Sequence, residues 1–247
     1  MIDKWRQRRA ELRLADVFLR GPQGELELAW TCVLAEWHES MFGAQDARVR
    51  LTKLAWWGRD LAQGVAAQHP LGRIVARAGA ERGLDAARWT AAVDAASVLA
   101  IHDDVDSDAA AGCARWRPLA EAVAAIEQGL LGQPVDAETV SAQWRTETLL
   151  SQLHAANAPL LPMNLRARFG AIERWREGLP DGWRALHAEW GQPERSRGGM
   201  LRHLRHRLQR DFWRRLCAGR QPEQAVALRP VGLLWHSWQA ARAGRAE

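Results

Sequence analysis

Leu51-Thr52-Lys53-Leu54-Ala55-Trp56-Trp57-Gly58-Arg59-Asp60-Leu61 decides the fold class of this chain. Leu51, Leu54, Ala55, Gly58, Leu61, Ala62 and Val65 fall three or four residues apart, the spacing that lines one face of an α-helix. His69-Pro70 breaks the run, and the same period returns beyond it. Trp89, Ala92, Val93, Ala96 and Ala100 repeat it, as do Leu119, Ala122, Val123, Ile126 and Leu130. Leu201, Leu204, Leu208, Phe212 and Leu216 repeat it once more. No long alternating Val/Ile/Thr run and no Asn-Gly hairpin signal intervenes. The chain reads as all-α.

Punctuation between the periodic segments comes from Gly21-Pro22, His69-Pro70, Gly132-Gln133-Pro134, Pro159 to Pro162, Leu179-Pro180-Asp181-Gly182 and Gln192-Pro193. Asp85 and Asp136 stand where helix N-caps belong. Roughly eight to ten helices are expected, with no internal repeat. The 247 residues suffice for one domain, 1–247, with a sizeable core. No stretch approaches the roughly 20 apolar residues of a membrane span. The opening Met1-Ile2-Asp3-Lys4-Trp5-Arg6 is charged rather than apolar, which argues against export. Cys32, Cys113 and Cys217 are scattered, as reduced cytoplasmic thiols would be, and form no Cys-x-x-Cys zinc pair. The chain has no Tyr, so no phenol is available as a proton donor.

The run from Arg50 to Trp57, a short spacer and then His69-Pro70-Leu71 resemble the squalene/phytoene synthase-like family. The order of other pieces is similar too: a Trp-bearing helix at 29–42 before it, Pro118-Leu119-Ala120-Glu121-Ala122 after it, and Leu160-Leu161-Pro162-Met163-Asn164-Leu165 further on. The likeness is clearest over residues 15–180. It implies a helical bundle of the isoprenoid synthase type. Active members of that family join two prenyl diphosphates head to head, with two facing aspartate-rich motifs holding Mg²⁺.

Both motifs depart from that pattern here. Where the first belongs stands Glu36-Trp37-His38-Glu39, a single carboxylate pair and weak catalytic candidates. Where the second belongs, Gln152 to Ala158 carries no carboxylate. Half the metal ligands would be missing, so no metal site is expected and ordinary condensation is doubtful.

Four further features each have a functional and a structural reading. The acidic run of Asp103, Asp104, Asp106 and Asp108 imitates a metal box but sits between two expected helices. A solvated linker that caps the next helix is favoured over metal binding. Arg50 and Lys53 beside Trp56 and Trp57 are candidates for binding an anionic, prenyl-like substrate; the alternative is a solvated helix face. Trp30, Trp37, Trp56 and Trp57 could line an apolar cavity or simply fill the core. Residues 195–220 hold nine Arg and one acid, Asp211. This basic amphipathic stretch offers Arg202, Arg205, Arg210 and Arg214 to an anionic membrane surface or acidic partner, unless its stripe faces the core. No RNA-binding motif accompanies the charge, so nucleic acid is not an expected partner.

Three functions fit these residues. One is a squalene/phytoene synthase-like protein with a degenerate metal site, binding an isoprenoid or other lipid in a helical cavity, cytoplasmic and peripheral at a membrane. A second is a non-enzymatic helper or assembly protein on that scaffold. The third is an active prenyltransferase with an altered acidic site, the one case that would require Mg²⁺.

Overall fold

The structure, a computed structural model, describes residues 2–102, 104–153, 161–191, 193–226 and 230–244. Among these there is no strand. Fourteen α-helices follow one another: α1 (Ile2–Arg8), α2 (Ala10–Ala15), α3 (Gly21–Phe42), α4 (Ala47–Ala62), α5 (Pro70–Glu81), α6 (Ala86–Ala100) and α7 (Ala109–Leu131), then α8 (Ala137–Gln152), α9 (Met163–Phe169), α10 (Ile172–Arg176), α11 (Pro180–Trp190), α12 (Met200–Cys217), α13 (Pro222–Val226) and α14 (Pro230–Ala243). The count exceeds the sequence expectation because five helices, α1, α2, α9, α10 and α13, have seven residues or fewer. So few turns give no readable period.

Local chemistry sets the boundaries. Asp46, Asp85, Asp108 and Asp136 each accept a backbone N–H from the first turn of the helix that follows. Pro22, Pro70 and Pro180 sit in first turns, where a missing N–H costs nothing. Gly21-Pro22 and His69-Pro70 therefore begin helices as well as ending what precedes them. Gly132 ends α7 at φ +72°, a conformation that disfavours any side chain.

Helix α3 is the axis of the molecule. It is buried on nearly all sides from Leu26 to Met41 and packs against α4, α5, α6 and α7. Helices α4 and α6 pair beside it, α6 continues onto α7, and α7 and α8 form a hairpin. Helix α12 closes the second side against α8, α11 and α14. Tryptophan fills much of the interior: Trp30, Trp37, Trp89, Trp175, Trp183 and Trp213 are all fully buried. They meet edge to face, with Trp30 6.0 Å from Trp37 and Trp175 5.0 Å from Trp183. Among the described residues no helix is long and apolar enough to cross a membrane.

Candidate functional site

The first acidic pair lies on α3, and both members are already engaged. Lys4 Nζ reaches Glu36 Oε1 at 2.9 Å and Glu39 Oε2 at 2.7 Å. Trp5 Nε1 donates to Glu36 at 2.8 Å, and Arg8 Nη1 to Glu39 at 2.9 Å. Partial burial would raise the Glu39 carboxyl, but its bonds to Lys4 and Arg8 outweigh that and hold it below its ordinary value. Helix α1 is amphipathic in an unusual sense: it lays a cationic edge, with the Trp5 ring between, across the face where a metal would need free oxygens.

Opposite α3, helix α8 carries a half-buried carboxylate that the sequence reading passed over. Glu147 accepts from Arg9 Nη1 and Nη2, both at 3.3 Å, and lies 3.6 Å from Arg205 Nη1. Burial would raise its pKa, but Arg205 and Arg9 drive it far below the usual carboxylate range. Beside it, His38 Nε2 and Thr148 Oγ1 share a hydrogen bond of 3.0 Å. Burial pushes His38 down to about 4, against the pull of Glu147, so the ring is neutral near pH 7.

A second buried network continues toward the far end of α3. Arg202 grips Glu127 in bidentate fashion, with Nε to Oε1 at 3.0 Å, and Nη1 donates to Gln143 Oε1 at 2.6 Å. Trp30 Nε1 completes Glu127 at 2.9 Å. Burial alone would lower Arg202; Glu127 more than offsets it. Glu27 accepts the Leu201 N–H at 2.5 Å, and burial pushes its carboxyl up to about 7. The space enclosed by Glu27, Trp30, Glu127, Arg202 and Arg205 is about 10 Å³. Ligand pockets run to roughly 300 Å³ and above. Arginine and tryptophan thus fill the centre of the bundle.

Other candidate residues have structural duties. Trp57 is buried, while Trp56 is 39% exposed; the two rings meet edge to face at 5.1 Å. Trp57 packs on His69 at 4.6 Å, and His69 Nδ1 accepts the Leu71 N–H at 3.2 Å to cap α5. Asp60, also buried, accepts the Gln68 N–H at 2.7 Å. The Trp-Trp and His-Pro elements are therefore two halves of one corner between α4 and α5. Arg50 is buried and Lys53 is exposed, so they do not share a surface.

The acidic run behaves as a pinned linker. Asp108 caps α7 through Ala111 N at 2.8 Å. Asp106 is buried, forms an ion pair with Arg115, and through its carbonyl holds Met163 N at 2.8 Å. Asp104 is exposed, and Asp103 lies outside the described residues, as does 154–158 of the second motif region. Among the described residues no three His, Cys, Asp or Glu are grouped to hold a metal ion. Three of the four oxygens of Glu36 and Glu39 are bonded to Lys4, Arg8 and Trp5, and no further acid is grouped with them among the described residues, so the residues present do not fit a Mg²⁺ site.

On α12, Arg202 and Arg205 are buried. Only Arg210 and Arg214 of the four basic candidates reach the surface, in a cleft of about 520 Å³. A separate surface cleft of about 590 Å³ lies between α7, α8 and α11. On its floor Arg145 stacks over the Trp190 ring at 5.2 Å and donates to Cys113 Sγ at 2.6 Å and the Trp190 carbonyl at 3.1 Å.

No protein family, no curated protein and no solved structure matches the chain.

Proposed function

We propose that this protein is a non-catalytic helper on a squalene/phytoene synthase-like scaffold, acting through its surface and not through a prenyl-binding cavity. The likeness of Arg50 to Trp57 and His69-Pro70-Leu71 supports the scaffold, together with the all-helical architecture. One observation carries the functional half. Lys4, Arg8, Arg9 and Arg205 supply the counter-charges of Glu36, Glu39 and Glu147 from within the chain. A metal would have to displace ammonium and guanidinium groups already paired, and a prenyl chain would have to displace buried Trp and Arg. The same reading sets the protein in the cytoplasm, in keeping with Cys32, Cys113 and Cys217 as free thiols.

The test is incubation with farnesyl or geranylgeranyl diphosphate and Mg²⁺ while released pyrophosphate is followed. No release is expected, and no thermal shift on adding either diphosphate. Release that disappears in Glu36→Ala or Glu39→Ala would replace this reading with that of an active transferase. Tight diphosphate binding without turnover would restore an isoprenoid-binding role.

A further inference from the structure

We infer that α14 is a docking ridge for an anionic lipid surface, with tryptophan at its crest and arginine on both flanks. The inference stands apart from the reading of the scaffold, because it uses only surface residues. Helix α14 buries Leu233, Ser237, Ala240 and Ala241, and packs against α12 and α2. On the opposite side Val231, Leu234, Trp235 and Trp238 follow the helical period and are 78%, 41%, 55% and 39% exposed. Trp235 and Trp238 stack on each other at 4.9 Å, one turn apart, so their faces form a single raised aromatic patch. Isolated exposed hydrophobics are ordinary; a continuous apolar ridge on one helix marks a surface that meets something.

The charges around the ridge say what it meets. Helix α14 contains no Asp or Glu. On one flank Arg242 lies 5.0 Å over the Trp238 ring, and Arg20 joins it in a groove of about 350 Å³. On the other flank is the 520 Å³ cleft that His236 of α14 shares with Arg184, Arg207, Arg210 and Arg214. Among the described residues Asp211 is the only acid lining that cleft, and it is engaged by Arg214 and His236, each at 2.9 Å. Tryptophan belongs at the boundary of headgroups and acyl chains, and arginine beside it reaches lipid phosphate.

Two other occupants fit less well. A second copy of the chain would bring arginine-flanked ridges together and set like charges against each other. A folded acidic protein would need a complementary groove for a convex ridge, whereas a bilayer accepts it directly. The sequence pattern had offered α12 to a membrane; burial of Arg202 and Arg205 moves that role to α14, with Arg210 and Arg214 of α12 as its flank.

Vesicle flotation of the full chain tests this, comparing phosphatidylcholine vesicles with vesicles that also contain phosphatidylglycerol. Binding is expected only to the anionic vesicles, and it should weaken as salt is raised. Arg210→Ser with Arg214→Ser should weaken it about thirtyfold, from about 1 kcal/mol per arginine near the surface. Trp235→Ser with Trp238→Ser should abolish flotation while the far-ultraviolet circular dichroism stays that of the parent, since both rings are substantially exposed. No flotation of the parent overturns the proposal. So does flotation indifferent to lipid charge and salt, or flotation unchanged in the tryptophan variant. Sedimentation showing a dimer that dissociates in the tryptophan variant would assign the ridge to a second copy instead.

Discussion

Arg9 reaches across the bundle to Glu147, with its two terminal nitrogens each 3.3 Å from a carboxylate oxygen. The residues are 138 positions apart, and the contact ties the N-terminal segment to the middle of α8. Lys4 and Arg8 make the matching contacts to α3. The segment of α1 through Arg9 thus serves as a cationic wedge between α3 and α8.

Removing Glu147 should be severe. Glu147→Ala leaves Arg9 and Arg205 without their shared carboxylate in a part-buried setting, and since breaking a fully buried pair costs about 3–5 kcal/mol, a loss of about 2–4 kcal/mol is expected. Glu147→Gln keeps the volume and loses the charge, so it should account for most of that loss. Urea denaturation of both variants measures it. A Glu147→Gln midpoint equal to that of the parent would mean that the pair contributes nothing.

The α4–α5 corner makes a sharper steric prediction. A Cβ at Gly72 would fall 2.2 Å from Asp60 Oδ2, the carboxylate that holds the chain at Gln68. Gly72→Ala should therefore destabilise by about 1–3 kcal/mol through overpacking. The cost should shrink when Asp60 is first changed to Ala, because the clashing group is gone. A thermal-melt double-mutant cycle checks this; strict additivity would show that the two residues do not meet.

The helices and this corner were legible because their causes are local. The period through Leu54 and Leu61, the caps at Asp85 and Asp136, and His69 before Pro70 all act within a few residues. The candidate site was legible only in half. Glu36 and Glu39 drew notice as a pair, but their partners are 31 to 35 residues away and nothing nearby announces them. Helix α8 carries Thr139, Ser141, Gln143, Arg145, Thr146 and Thr148 along it, polar residues with no apolar stripe to announce their burial, yet all six are buried. Gln143, Arg145 and Thr146 are tolerable there because other helices bring Arg202, Trp190 and Trp213 to bond with them, while Thr139 bonds Asp136 and Thr148 bonds His38. Of the expected apolar stripe on α12, Leu201, Leu204, Phe212 and Leu216 are buried and Leu208 only partly, but Arg202 and Arg205, expected in solvent, are buried too. A single sequence shows the stripe; it does not show that α3, α8, α11 and α14 surround the helix on more than one side.

His38 and Glu27 should conceal each other's effect on stability. His38 falls from 6.5 to about 4 on folding, mainly through burial. Its contribution is complete above pH 6.5 and is lost as pH drops toward 4, because only the unfolded state takes up the proton. Glu27 rises from 4.5 to about 7, again mainly through burial. Its contribution is complete below pH 4.5 and is lost as pH climbs through 7, because only the unfolded state releases the proton. Each shift corresponds to roughly 3 kcal/mol, and the two slopes have opposite sign over the same window. The contributions of these two residues should therefore largely cancel between pH 4.5 and 6.5, so that the parent's slope there is set by His69, His187 and His206, which burial also lowers, and steepens below pH 4.5, where the unfolded chain protonates Glu147. Each single variant should expose the partner's slope. Relative to the parent, Glu27→Gln should lose stability as pH falls from 6.5, and His38→Gln should gain it over the same range, where the two residues' titrations overlap. Urea midpoints measured in steps of pH for the parent and both variants decide the matter; parallel profiles for all three would show that neither residue titrates differently in the folded and unfolded chain.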